Sequence, residues 1–288
     1  MNSRPVVLDE QPSAIELDRR RFRKKQSGRS VLISLASTVV LAVLVWLTVI
    51  NTPGWALVQQ AFFDPKTAAE FLPSILLGLW LNVRILFFAA IGVAIFATLI
   101  AVVRTLRGPV FFPLRFLATV YTDLFRGMPL IIVLYLVGFG IPALGVTPRL
   151  PPEVWGTLAL ILTYSAYVSE VLRAGMEAVH PSQRLAARAL GLGHVQTLRR
   201  VVLPQALRKM TPPLMNDFIS MQKDVGLISI LGAVDAVRAA QIESAQTYNF
   251  TPYIVAGILF VLLAIPTIRL ADWYTARLRA REQTGSLL

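Results

Sequence analysis

The stretch SEVLRAGMEAVHPSQRLAARALGLGHVQTLRRVVLPQALRKMTPPL, residues 169–214, is charged, Ala-rich and set between two apolar blocks. Residues 185–190 are a run of good helix formers. Gly191 and Gly193 then let the chain turn sharply or approach a neighbour closely. Residues 195–202 read as helix again. Pro204 has a fixed φ and no backbone donor, so it marks a boundary or a kink. Two readings of such a helix–glycine–helix segment are open. It lies along a membrane surface, or it is a compact docking element that sits in another protein's groove.

Outward from this loop the chain turns apolar. Of 288 residues 55% are hydrophobic and only 15% are charged, against roughly 25% charged in a soluble domain. That excludes a disordered chain and a typical secreted domain. Residues 31–50 form an uncharged run of the length a bilayer core demands. A long basic region before it, and the lack of a clean small-residue cleavage site after it, argue for a retained helix over a signal peptide. Further apolar blocks cover about 75–102, 116–141, 154–172, 213–232 and 252–270. In the third block, Asp123, Arg126 and Pro129 predict a kink or a restart of the helix after the proline. The fold class is therefore an all-α integral membrane protein with six transmembrane helices and both ends on one side.

Charge fixes the orientation. The formal net charge is +12, from 28 Lys and Arg against 16 Asp and Glu. Of the 28, 21 fall on the side that holds the arm 1–30, the segments 103–115 and 173–212, and the tail 271–288. The opposite loops 51–74, 141–153 and 233–251 hold 3: Lys66, Arg149 and Arg238. That bias places both termini and the quoted loop in the cytoplasm. It accounts for the basic excess without a nucleic-acid partner, while contact with membrane lipid headgroups is a modest addition.

The loop resembles the EAA loop of inner-membrane permeases from binding-protein-dependent ABC importers. That pattern is Glu-Ala-Ala, three residues, Gly, nine residues, Ile, one residue, Leu-Pro. Here Ala186 and Ala187 stand at the alanines, Gly191 at the glycine, Val201 at the isoleucine, and Leu203 and Pro204 at Leu-Pro. Leu185 replaces the glutamate. Other segments resemble the polar amino acid permeases: YTDLFRGMPL (residues 121–130, with Met128 for Thr), Glu170 with Arg173, Ala174 and Gly175, and Lys223, Asp224 and Leu227, where Val225 and Gly226 replace two hydroxyl residues. The likeness covers about 78–276.

The resemblance implies a type-1 permease core of five helices, to which residues 31–50 add an N-terminal one. It implies a basic cytoplasmic arm (1–30), a permease domain (75–275) with coupling loop 173–212, and a cytoplasmic tail (276–288). It further implies a second permease subunit, identical or paralogous, two cytoplasmic ATPase subunits docked on residues 180–193, and an extracytoplasmic solute-binding protein. Ala186, Ala187, Gly191, Gly193, Leu203 and Pro204 would form the coupling loop. ATP and Mg would be bound by the ATPase, and no cofactor by this chain.

Charges inside hydrocarbon pair, snorkel or line a polar path. Asn82, Arg84, Arg126, Tyr164, Lys223 and Asp224 are candidates for the translocation path or its gating, with structural roles as the alternative. Asn82 and Arg84, at i and i+2, do not face the same way. Asp123 and Arg126, at i and i+3, are spaced to pair, as are Glu170 and Arg173, which would anchor the loop. Tyr164 and Tyr167 share a face at the same spacing.

Enzymatic readings fail. No G-x-x-x-x-G-K phosphate loop and no HExxH occur, and there are no cysteines and only 2 histidines. Gly191 and Gly193 lack the context of a dinucleotide fingerprint. The expected function is a permease subunit importing a polar amino acid or related small solute. Its rivals are a secondary transporter or channel working without an ATPase, and a non-transporting membrane adaptor.

Overall fold

The computed structural model describes residues 14–106, 108–146 and 148–285. The elements in it are all helical. The chain divides into two compact units, Met1–Gln59 and Gln60–Leu288.

In the first unit, α1 (Ala14–Ile50) runs for 37 residues without a break. Its apolar part, Ser30–Ile50, is long enough to cross a bilayer. Residues 31–49 are exposed, as suits a helix that is apolar all round and solvated by lipid. The basic arm is helical from residue 14; residues 1–13 lie outside the described residues, as does Arg107 of the orientation count. Hydropathy marks where the apolar part begins and is blind to a polar extension, although Arg, Lys and Gln are good helix formers. α2 (Trp55–Phe62) contains the division between the units.

The second unit starts with α3 (Pro65–Thr105), a single helix of 41 residues. Asp64 caps it by accepting from the Lys66 N–H at 3.1 Å, and Pro65 stands in the first turn, where a missing donor costs nothing. The helix thus begins ten residues before the expected block at 75, because its first turns are polar. α4 (Phe112–Gly127) stops before Pro129, and α5 (Leu130–Tyr135) restarts after it. The two arms meet at 110°. The restart is the form the break takes, and the bend is too sharp for a simple kink. A π-turn (residues 136–140) leads into α6 (Ile141–Ala143).

α7 (Pro152–Glu177), α8 (Pro181–Ala189) and α9 (His194–Thr197) follow. A second π-turn, residues 198–202, joins α9 to α10 (Leu203–Asp224). Pro204 therefore does not end the helix, contrary to the boundary reading. The Leu203 N–H reaches back five residues to the Leu198 carbonyl. This wider turn accommodates a proline that would otherwise crowd the carbonyl four residues earlier. The first π-turn stands in the same relation to Pro142.

A 3₁₀ segment (residues 225–231), α11 (Ala236–Thr247) and α12 (Thr251–Gly285) complete the chain. α11 corrects the reading of 233–251 as an outer loop. Asp235 caps it, accepting from the Arg238 N–H at 2.8 Å. Its small face (Ala236, Ala239, Ala240) packs on Ile75 of α3 and Ala256 of α12. Likewise the expected cytoplasmic tail continues α12 as helix to Gly285.

Among the described residues four stretches are long and apolar enough to cross a membrane: Ser30–Ile50, Trp55–Thr105, Pro152–Glu177 and Thr251–Leu278. Two bent pairs, Pro109–Gly127 with Leu130–Ala143 and His194–Leu231 with Ala236–Thr247, bring the number to six if each pair is one span. The core of the second unit joins Ile85, Ala89 and Val93 of α3 to Leu160 and Tyr164 of α7 and to Val225 and Ile228. Lipid tails are as apolar as leucine, so such helices are held by close packing and interhelical hydrogen bonds rather than by exclusion from water. Gly78 shows this: a Cβ there would overlap the Asp235 backbone.

Candidate functional site

The polar loop between α7 and α10 is built around two turns. His180 caps α8, its Nδ1 accepting from the Ser182 N–H at 3.2 Å. At the far end Gly191 has φ +79°. Its N–H donates to the Arg188 carbonyl at 2.9 Å, and the Leu192 N–H donates to the Ala187 carbonyl at 3.1 Å. This pair of bonds is the Schellman ending, which needs a left-handed residue at the glycine position. A Cβ at Gly191 would meet open space, so the backbone imposes the glycine, not crowding.

Gly193 is different. Its φ of −63° suits any residue, and its N–H donates to Gln196 Oε1 at 3.1 Å as α9 begins. Ala187 is buried, whereas Ala186, Leu185 (66% exposed), Leu190 (83%) and Val195 (73%) face outward. A short helix thus presents aliphatic side chains next to a fixed turn. Leu185, where the resembled pattern has glutamate, extends that apolar face.

The base of the loop is tied to α7. Glu170 and Arg173 pair at 2.5 Å, as their spacing predicts, and Arg173 also reaches Glu177 at 2.6 Å. Arg104 of α3 joins them, with Nη1 2.7 Å from Glu170 Oε2. The last carbonyls of α7 are met by cations: Arg184 donates to Met176 O at 2.9 Å, and Lys209 to Ala178 O at 2.6 Å. Val179, Val202, Ala206 and Met210 form a small apolar cluster beneath. Leu203 and Pro204 themselves are exposed.

The membrane candidates separate. Asn82 is fully buried. Its Nδ2 donates to Asp235 Oδ2 at 2.9 Å and to Val225 O at 3.3 Å, and its Oδ1 accepts from the Ala236 N–H at 3.1 Å. Arg84 points away from it and is exposed, lining a groove of about 480 Å³ with Glu153. The structure brings Tyr164 and Asp224 together, the phenol donating to Asp224 Oδ2 at 2.7 Å. The Tyr164 and Tyr167 rings lie 6.1 Å apart. Arg126 and Lys223 are exposed. The Asp123–Arg126 pair is not formed among the described residues; Arg126 instead offers its carbonyl to the Tyr167 hydroxyl at 3.1 Å.

Sequence reasoning missed three polar groups. Asp235 had a signal, an acid directly before an Ala-rich run. Asp217 had one as well, an acid inside an apolar segment. It lines a cavity of about 230 Å³ with Thr98 and Tyr164, and its Oδ2 has no protein partner. Arg104 was read only as an orientation charge; nothing local in the sequence points to Glu170.

These features define a multi-pass α-helical membrane protein with a helix–glycine-turn–helix loop between α7 and α10. Residues 109–280 match the family described as binding-protein-dependent transport system inner membrane component, and the chain belongs to it. It is 33% identical over 196 residues to the arginine transport system permease protein ArtQ of Bacillus subtilis (strain 168), covering 67% of this chain and 87% of that one. It is 33% identical over 165 residues to the probable glutamine ABC transporter permease protein GlnM of the same organism, covering 57% and 76%. Among solved structures, an amino acid ABC transporter determined with histidines matches with a TM-score of 0.68 and 31% identity, covering 74% of this chain and 98% of that one. The MetNI methionine ABC transporter, at 19% identity and a TM-score of 0.54, covering 72% and 95%, shares the fold.

Proposed function

We propose that this chain is the permease subunit of an ATP-driven importer that carries a polar amino acid across the cytoplasmic membrane. The observation that carries the reading is the exposed aliphatic surface of α8, closed by the left-handed Gly191 and set in the spaced pattern of the coupling loop. Two such subunits form the path. Two ATPase subunits bind residues 180–193, with Ala186, Gly191 and Gly193 at the contact, buried Ala187 packing the helix behind it, and Leu203 and Pro204 at its base. A solute-binding protein delivers substrate from the other side. Nucleotide binding in the partners shifts the permease pair between inward-open and outward-open states by binding one better than the other.

On this reading each bent pair is one span, giving six: a five-helix core within 75–275 and the added helix 31–50. The arm 1–30, the loop 173–212 and the tail 276–288 are cytoplasmic. The relatives that carry arginine or glutamine in their names support an amino-acid substrate. Asp217 and the Tyr164–Asp224 pair are groups able to meet its charges along the path, with Arg84, Arg126 and Lys223 as further candidates for gating; Asn82 acts in helix packing.

Replacing Gly191 with valine tests the reading. A β-branched residue at φ +79° breaks the turn. The expected result is loss of ATPase copurification together with loss of arginine or glutamine uptake, with the permease still in the membrane. Normal assembly and uptake would sink the docking assignment. Uptake without any ATPase would favour a secondary transporter.

A further inference from the structure

Arg104 lies in the last turn of α3, 66 positions before the acid it pairs with. Glu170 is a shared acceptor. One oxygen receives Arg104 Nη1 at 2.7 Å and Arg173 Nε at 3.1 Å, and the other receives Arg173 Nη2 at 2.5 Å. Arg104 and Glu170 are largely shielded, with side chains 13% and 20% exposed. Three residues beyond Glu177 the chain reaches His180, the cap of α8. The short joint between them is held by Lys209 on the Ala178 carbonyl and Arg184 on the Met176 carbonyl. A displacement of α8 therefore acts on the end of α7 with little slack, and Glu170 delivers it to α3.

α3 continues unbroken from Arg104 to Asn82, about 33 Å at 1.5 Å per residue. At Asn82 it is fastened to Val225, Asp235 and Ala236. Gly78 lies against the Asp235 backbone one turn further on. One rigid helix thus joins a clamp beside the docking loop to a clamp at the start of α11. Chains of packed elements and ion pairs of this kind carry coupling when they have two arrangements. Glu170, with two arginines from different helices on one carboxylate, offers such a choice.

We propose that Arg104 is a positioning residue that transmits movement of the docking loop through Glu170 to α3 and so to the opposite half of the molecule. The inference rests on the proposed function. The test uses the complete importer, with its own ATPase subunits and solute-binding protein, in proteoliposomes. Uptake of labelled arginine and glutamine and hydrolysis of ATP are measured on the same samples for wild type, Arg104→Gln, Arg104→Lys, Glu170→Gln and the double variant Arg104→Gln/Glu170→Gln.

The expected result is that Arg104→Gln complexes assemble and hydrolyse ATP, while solute imported per ATP falls by about tenfold. Arg104→Lys recovers most of the ratio. The double variant is no worse than Glu170→Gln alone, since both break one link. An unchanged ratio in Arg104→Gln overturns the inference, as does a fall in uptake that only tracks fewer assembled complexes. Wild type that neither hydrolyses ATP with its partners nor imports either amino acid overturns the proposed function and the inference with it. Wild-type transport with an indifferent Arg104 overturns the inference alone.

Discussion

Near the middle of α3, against the start of α11, Asn82 is fully buried and makes three hydrogen bonds to a neighbouring backbone and side chain. In the last turn of α3 Arg104 meets a carboxylate that it shares with Arg173, beside a loop whose Leu185 and Leu190 are exposed. The two clamps hold the same helix by different physics. A buried amide has no solvent to turn to, so leaving its partners unsatisfied costs the full desolvation of each group. The Arg104–Glu170 pair is strong but less specific, because either of two arginines can satisfy the one carboxylate and the charges can exchange partners without leaving it bare. α3 is therefore fixed near its middle and adjustable at its C-terminal end, where an ATP-driven partner would push.

The largest effect should come from breaking the buried clamp. Asn82→Leu strips Asp235 of a buried donor and the Ala236 N–H of its acceptor; destabilisation of about 3 kcal/mol is expected. Thermal unfolding of the purified protein in detergent reads it, and a melting temperature equal to wild type would contradict the clamp. Tyr164→Phe is an intermediate case. It removes the phenol from Asp224 without changing shape, at a cost of about 1 kcal/mol, and the same melting measurement checks it. Lys209→Ala removes an exposed hydrogen bond to the Ala178 carbonyl beside the loop and should cost only about 0.5 kcal/mol. If it destabilised as much as Asn82→Leu, the contrast between the buried clamp and the loop side would fail.

How legible this was depended on the range of each signal. The apolar run at 31–50 and the glycine turn at 191 were readable because hydropathy and αL geometry are local properties. The Glu170–Arg173 pair was readable for the same reason, since i,i+3 spacing decides it. Arg104–Glu170 and Tyr164–Asp224 were not, because they join residues far apart in sequence. α11 reads as a loop from sequence because twelve residues, Ala-rich and partly polar, fall below any membrane-span pattern. Pro204 misled because a proline predicts a break unless the preceding turn widens, and that π-turn leaves no mark in composition.

The docking face can be tested directly because the chain has no cysteine. A single cysteine placed at exposed Ala186, and in a separate variant at exposed Val146, is labelled with a photoreactive maleimide in the assembled importer. After illumination, the account predicts an adduct with the ATPase subunit from residue 186 and none from residue 146. An adduct from 146, or none from 186 in complexes that still import arginine or glutamine, would contradict it.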